Sequence, residues 1–322
     1  MLCRTASDLL WMARHIERVD NGARLIDYAH RVALLPDRLE KGRALTESWG
    51  AALSALGLEA EYARRYGRLD EHSVLQFLIF DADNPSSIYA CLHAARESGR
   101  AQRGAISAEM YEDLNSSWMR VRDLDWDQLN SEGLSQFLDW VKRRSAAFRG
   151  ITLGTLVRDE AYTFLQLGTF LERADNSLRL LDMYFGETRQ RPEQEARSAV
   201  EYYRLSALLQ ALSAFETYRK IYRDTVAPAR VAELLVLRSD MPRSLATCAS
   251  AIHRNVESLA GGRRLEVVRQ CGALASELRY ARMEALLAPG TSAFLKSVMA
   301  RLYAISDGIF REFMLSTDVV SA

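Results

Sequence analysis

The chain contains 322 residues, 48% of them hydrophobic, so it is long enough to bury a sizeable core and is not a disordered polymer. Its 42 basic and 42 acidic residues cancel, which gives no overall field for nucleic acid, and we expect no nucleic-acid partner. No run reaches the roughly 18 apolar residues that span a bilayer, so we expect no membrane partner.

Long helices are the elements that the sequence predicts, because only 6 prolines and 17 glycines interrupt the chain. From Ser7 to about Arg31, apolar residues recur every three or four positions, which indicates a helix with one buried face. The same pattern predicts further helices over 42–66, 85–104, 107–121, 132–149, 157–186, 194–223, 228–237, 242–260, 263–287 and 291–315. The predicted fold class is therefore all-α, a bundle of long antiparallel helices.

Two prolines mark predicted helix starts, at 84–85 and 241–242. Proline suits the first helical turn, where its missing N–H costs nothing. The capping oxygen is expected from a residue at or just before each start. The candidates are Asp83, Asn84, Ser239 and Asp240.

The chain contains an internal repeat. Residues 17–27, ERVDNGARLID, match residues 172–182, ERADNSLRLLD, at seven of eleven positions and an offset of 155. The stretch 74–91 matches 231–248 at an offset of 157. Two matches in the same order, at nearly equal offsets, indicate that one half of the chain repeats the other.

A third, shorter match supports the same division of the chain. Residues 52–56 match 211–215 at an offset of 159. Together the matches predict a tandem duplication, with a first repeat over 1–150 and a second over 151–322. The two repeats are expected to form either two domains or one compact fold with an internal pseudo-two-fold axis.

Each copy of the repeated helix carries a polar stripe, because side chains at i, i+3, i+4 and i+7 share one helical sector of about 100°. In the first copy these are Glu17, Asp20, Asn21 and Arg24, with Arg18 at the edge. The equivalents in the second copy are Glu172, Asp175, Asn176 and Arg179, with Arg173 at the edge. The stripe is either structural, as a solvated face or a buried tie between helices, or functional, as a polar cleft or partner surface.

These motifs resemble those of the bacterial alpha-E domain family. The resemblance rests on ERVDN and ERADN, on the segment DADNPSSI, and on GTLVRDEAYTFLQLGTFLERAD, and it covers the chain from Met1 to about Leu315. It places the family's Glu-Arg pairs at 17–18 and 172–173. It also marks two further segments as candidate binding sites, and these contain Asp83, Asn84, Arg158, Asp159 and Glu160.

The resemblance implies a setting for the protein. Alpha-E proteins are encoded beside circularly permuted ATP-grasp ligases, transglutaminase-like proteins and N-terminal-nucleophile hydrolases, in systems that form amide bonds on peptides. It therefore implies a non-catalytic helical subunit that docks the ligase or its peptide substrate. The alternative is an enzyme of amide chemistry whose paired Glu-Arg motifs line an active site.

The residues themselves indicate no cofactor or metal. None of the five histidines follows a glutamate by three positions, the spacing of helical di-metal sites. Cys91 and Cys248 fall at matching positions of the repeat among apolar residues, which predicts buried thiols rather than nucleophiles. Four cysteines without metal or disulfide spacing predict a reduced, cytoplasmic protein. A carboxylate beside arginine has a lowered pKa, which favours binding over proton donation.

Overall fold

A computed structural model of the chain describes residues 1–34, 41–188, 199–283 and 290–315. Across these ranges the regular structure is entirely helical, which confirms the all-α prediction. In chain order the helices are α1 (Cys3–Ala33), α2 (Lys41–Leu56), α3 (Glu59–Tyr66), α4 (Glu71–Leu75), α5 (Ile88–Ala101), α6 (Ala108–Arg122), α7 (Trp126–Glu132), α8 (Leu134–Thr155), α9 (Glu160–Thr188), α10 (Ala199–Ala211), α11 (Phe215–Tyr222), α12 (Pro228–Ala232), α13 (Leu245–Ala260), α14 (Glu266–Tyr280) and α15 (Thr291–Phe313). None of these helices is apolar over a length that could cross a membrane.

The two motif helices, α1 and α9, pack side by side along the middle of the bundle. Their apolar seams are buried, as the helical spacing predicts. The seam residues are Leu9, Met12, Ile16, Val19, Ala23 and Ile26 in α1, and Phe164, Leu167, Leu171, Ala174, Leu178 and Leu181 in α9. Contacts advance together along both helices, from Met1 with Glu160 to Glu17 with Arg173, so α1 and α9 run parallel.

The elements that follow α1 along the chain come in the same order as those that follow α9. Both α4 and α12 continue into a π-helical turn, at Gln76–Phe80 and Glu233–Leu237, before the loop that leads to α5 or α13. Helix α5 packs on α1, and α13 packs on α9 in the same way. Buried hydrophobic residues of both halves join in one core. The tandem duplication itself, and a boundary at residue 150 within α8, stay predictions.

The third sequence match is shifted by three residues in the structure. Gly57 and Ser213, at an offset of 156, both have positive φ, 69° and 53°, and follow the ends of α2 and α10. The hydroxyls of Tyr62 and Tyr218, at the same offset, each donate to a loop carbonyl a few residues later. The shared letters at 52–56 and 211–215 therefore do not mark equivalent positions.

The predicted helix starts at the two prolines are wrong by three residues. Helices α5 and α13 begin at Ile88 and Leu245, and their caps are Ser87 and Ser244. The Ser87 hydroxyl accepts the backbone N–H of Ala90 at 3.0 Å. Each proline lies in the turn that precedes this cap, because the chain must first turn away from the π-helical segment.

Two other predicted helices are each interrupted in the structure by a turn residue with positive φ. The predicted helix 42–66 is divided at Gly57, and the predicted helix 194–223 is divided at Ser213. The short helices α4 and α7 are absent from the sequence prediction. Residues 194–198 and 284–287 of two predicted helices, and residues 316–322 of the predicted second repeat, lie outside the described residues.

Candidate functional site

The Glu-Arg pairs of the two motif helices are crossed. Glu17 Oε1 accepts the Nε–H of Arg173 at 2.9 Å. Glu172 Oε1 accepts the Nε–H of Arg18 at 2.6 Å. Both glutamates are buried, with 1% and 4% of their surface exposed. Each motif therefore supplies the carboxylate of one ion pair and the guanidinium of the other, and the stripe ties α1 to α9.

Two further arginines complete the surroundings of Glu17. Arg149, from α8, donates to Glu17 Oε2 at 2.9 Å. Arg243, in the turn before α13, lies 3.2 Å from Glu17 Oε1 and also donates to Asp20 Oδ2. The carboxylate of Glu17 thus holds together α1, α8, α9 and the turn before α13.

The surroundings of Glu172 are similar but smaller. Arg14, one turn before Arg18 on α1, donates to Glu172 Oε2 at 2.8 Å. Arg14 therefore provides a second guanidinium at Glu172, as Arg149 does at Glu17, but Arg14 belongs to α1 and Arg149 to α8. Ser86 stands at the repeat position of Arg243, and among the described residues only Arg14 and Arg18 pair with Glu172.

The aspartate and the last arginine of each stripe form an i,i+4 ion pair. Arg24 Nε donates to Asp20 at 3.1 Å, and Arg179 Nε donates to Asp175 at 2.7 Å. The other nitrogens of both arginines reach the last turns of neighbouring helices, at the carbonyls of Ala211 in α10 and Ala55 in α2. Each arginine thereby donates a hydrogen bond to a carbonyl in the last turn of a neighbouring helix, where that helix offers no backbone N–H to pair with it.

The two asparagines have different surroundings. Asn21 Nδ2 donates to the backbone carbonyl of Glu172 at 3.3 Å, and Asn21 Oδ1 accepts from Arg243 at 3.3 Å. Asn176 is equally buried, but its Nδ2 has no hydrogen-bond partner among the described residues. The Glu172 side of the network is therefore incomplete at the place where Arg243 completes the Glu17 side.

Both glutamates are held in the ionised form. Burial alone raises the pKa of Glu17, but Arg173, Arg243 and Arg149 outweigh it and hold that pKa well below its usual value of 4.5. For Glu172, burial likewise raises the pKa, and Arg18 and Arg14 lower it below the usual value. A carboxylate with so low a pKa carries no proton to donate near neutral pH.

Acid is expected to destabilise the fold through these carboxylates. Because the folded pKa of Glu172 lies below its unfolded value of 4.5, the unfolded chain binds protons first, and stability falls as the pH drops below about 4.5. Urea unfolding between about pH 7 and about pH 3 measures this. The Glu172→Gln variant, less stable at neutral pH, should lose less of its remaining stability on acidification. An equal loss in both proteins would contradict the assignment.

The remaining candidate residues lie away from the crossed pairs. Asn84 is buried and structural: its Nδ2 donates to the Phe77 carbonyl at 2.9 Å, and its Oδ1 accepts from Ser86 N at 3.0 Å. Asp83, next to it, is exposed. The second family segment, 158–160, is exposed at the start of α9. None of the contacts described for Asp83, Asn84 or the segment 158–160 joins these residues to the stripe.

Residues 158–160 organise the junction between α8 and α9. Asp159 Oδ1 accepts the backbone N–H of Tyr162 at 3.2 Å, which caps the first turn of α9. Glu160 accepts the N-terminal ammonium of Met1 at 2.8 Å. Arg158, between α8 and this cap, is exposed to solvent.

Three arginines of the network, Arg14, Arg149 and Arg243, were outside the sequence prediction. Arg14 lies one turn before Arg18, on the side of α1 that faces α9, but its repeat partner is Thr169, so the repeat does not mark it. Arg243 stands opposite Ser86 within a matching stretch, and that mismatch is the signal that could have found it. Nothing in the sequence near Arg149 points to Glu17.

The thiols and histidines do not build a reactive centre on the part of the chain that is described. Cys91 and Cys248 are buried, and burial raises the pKa of each to about 12, so the thiolate nucleophile is not formed at neutral pH. His93 packs against Trp118. The described residues contain no group of three His, Cys, Asp or Glu side chains that could hold a metal ion.

Comparison with known proteins gives one family. A family model named Alpha-E, described as a predicted alpha-helical domain with a conserved ER motif, matches residues 1–314. The chain is also similar to uncharacterized proteins of Mycobacterium bovis (24% identical) and Mycobacterium tuberculosis (24% and 23% identical). These matches cover 94% of this chain and 35% of each relative, so the chain spans about a third of their length. No solved structure matches the chain. Because the family model covers nearly all of it, the chain belongs to the Alpha-E family.

Proposed function

We propose that the protein is a non-catalytic helical subunit of a cytoplasmic system that forms amide bonds on peptides. Its role is to dock a circularly permuted ATP-grasp ligase or the peptide substrate of that ligase. The observation that carries this proposal is the burial of both Glu-Arg pairs. Carboxylates that are ionised, buried and bonded to two or three arginines tie helices together, and they do not transfer protons to a substrate.

A surface suited to docking lies at the junction between α8 and α9. Leu153 and Val157 are 56% and 75% exposed, and the charged segment 158–160 follows them directly. Leu2, 78% exposed, is brought to the same end of the bundle by the ion pair between Met1 and Glu160. Exposed apolar side chains rimmed by charges are typical of surfaces that bind other proteins. We assign the docking contact to this surface, defined by Leu2, Leu153, Val157 and 158–160.

The two glutamates of the stripe do not suit the general acid that the enzyme alternative needs. The glutamates have lowered pKa values, whereas a general acid needs a pKa raised toward neutral pH. The amide chemistry in this proposal therefore belongs to the ligase, and a transglutaminase-like protein or an N-terminal-nucleophile hydrolase is a further partner of the same system.

Co-purification tests the proposal. The tagged chain, co-expressed with the ATP-grasp ligase encoded beside it, is expected to retain the ligase through size exclusion. The double variant Leu153→Glu with Val157→Glu should lose most of the ligase at an unchanged melting temperature, because both side chains are exposed. Tyr280→Glu, at an equally exposed residue of α14, is the matched control and should retain it. Failure of the wild-type chain to retain the ligase would overturn the proposal.

A further inference from the structure

The Glu17 side of the network shows how this fold binds a guanidinium group. The side chain of Arg243 is 6% exposed, and its nitrogens lie within bonding distance of three different residues. They contact Glu17 Oε1 at 3.2 Å, Asn21 Oδ1 at 3.3 Å and Asp20 Oδ2. A carboxylate pair and an amide oxygen thus surround the planar donor group, whose geometry suits them.

The Glu172 side has the same three residue types, but a cavity stands in place of the guanidinium. Glu172, Asp175 and Asn176 correspond to Glu17, Asp20 and Asn21 at an offset of 155. Ser86 takes the position of Arg243. All four residues line a cavity of about 150 Å³. A cavity of about this volume accommodates a molecule of the size of benzene, which has more heavy atoms than a guanidinium group.

Hydrogen-bonding capacity is left unused around this cavity. Asn176 is 5% exposed, and its Nδ2 has no partner within the described ranges, whereas its counterpart Asn21 is bonded at both amide atoms. Glu172 Oε1 accepts from Arg18 alone in the described part of the chain, whereas Glu17 Oε1 accepts from Arg173 and also forms an ion pair with Arg243 Nη1 at 3.2 Å. A buried amide without a partner is costly, and a ligand that orients it removes that cost.

The Glu17 side shows that this arrangement accommodates one more guanidinium, and the walls of the cavity suit its alkyl stem. Counted over the described residues, four guanidiniums lie within 4 Å of Glu17 or Asp20, and three lie within 4 Å of Glu172 or Asp175. One added guanidinium would equalise the two sides. The apolar wall of the cavity consists of Ile26, Leu56 and Leu78, a surface against which the methylene stem of an arginine can pack.

We propose that this cavity binds a guanidinium group on an alkyl chain, as found in free arginine or in an arginine residue of a peptide. The group would lie between Glu172, Asp175 and Asn176 as Arg243 lies between their counterparts. Arg18 and Arg179, which also line the cavity, are 23% and 27% exposed, so a ligand can reach it from solvent. The inference goes beyond the docking role and does not depend on the surface between α8 and α9.

Calorimetric titration of the full chain tests the ligand class. L-arginine and N-acetyl-L-arginine amide are the probes, and L-citrulline, which has the same shape without the charge, is the control. At least one arginine probe should bind saturably, and citrulline should bind at least about tenfold more weakly. Tighter binding of the amide identifies a peptide residue as the source, and tighter binding of L-arginine identifies the free amino acid. Absence of saturable binding of both arginine probes would overturn the proposal.

The substitution Ser86→Arg tests the location. The substitution introduces an arginine at the position that corresponds to Arg243. The new guanidinium should fill the cavity, abolish binding of the arginine probes and raise the melting temperature. Ser131→Arg, which adds the same residue at an exposed position of α7, is the matched control and should bind them as the wild-type chain does. Binding that survives in a folded Ser86→Arg variant would show that the site lies elsewhere. If this variant does not fold, the three-ligand titration of the wild-type chain still decides the proposal.

Discussion

Replacing Glu17 with glutamine is expected to lower the free energy of unfolding by about 3–5 kcal/mol, the cost of removing one partner of a buried ion pair. Glutamine has the same shape but no charge, so Arg173, Arg149 and Arg243 would face each other with Asp20 as the nearby anion. Burial of the site prevents water from screening that repulsion. Urea unfolding followed by circular dichroism measures the effect.

Two other variants set the scale for this measurement. Glu172→Gln should destabilise the protein less than Glu17→Gln, because only Arg14 and Arg18 lose their partner in the described network. Glu266→Gln breaks an exposed ion pair with Arg269 and should leave the unfolding midpoint unchanged. A Glu17→Gln midpoint as close to the wild-type value as that of Glu266→Gln would mean that the crossed pairs do not stabilise the bundle.

The sequence predicts the faces of α1 and α9 but not what meets them. Apolar spacing identifies the buried seams correctly, because helical period alone fixes which side chains share a face. The repeat singles out Glu17 and Glu172, because they occupy the same position on the polar stripes of the two motif helices. Periodicity carries no information about the partner helix, so the exchange of Arg18 and Arg173 between the two glutamates emerges only from the fold.

Turn chemistry explains the local differences between sequence and structure. Proline and the residues before it signal the starts of α5 and α13, yet Ser87 and Ser244 are the caps. Both proline and serine are common at the start of a helix. The residue that begins the helix therefore depends on where the preceding π-helical turn ends. Asn84 was predicted as a cap or binding residue, but its amide is used by the carbonyl of Phe77 and the N–H of Ser86.

Replacing Gly168 with alanine is expected to lower the free energy of unfolding by about 3 kcal/mol. A Cβ atom at this position of α9 would lie 2.3 Å from the carbonyl oxygen of Leu10 and 3.1 Å from the Cβ of Ala13, both on α1. Alanine by itself favours a helix over glycine by about 1 kcal/mol. The contact with backbone outweighs that gain, because α1 must move away from α9. Thermal and urea unfolding measure the sign and the size of the change.

Gly150→Ala is the matched control, since Gly150 lies inside α8 with nothing within 4 Å of an added Cβ. That substitution should stabilise the protein by about 0.5–1 kcal/mol through helix propensity alone. A stabilised Gly168→Ala variant would contradict the close approach of α1 and α9. Gly168 lies one turn before Glu172, as Ala13 lies one turn before Glu17, so a wider spacing also stretches the crossed ion pairs. The effects of Gly168→Ala and Glu17→Gln should therefore not add: the double variant is expected to lose less stability than the two single losses combined.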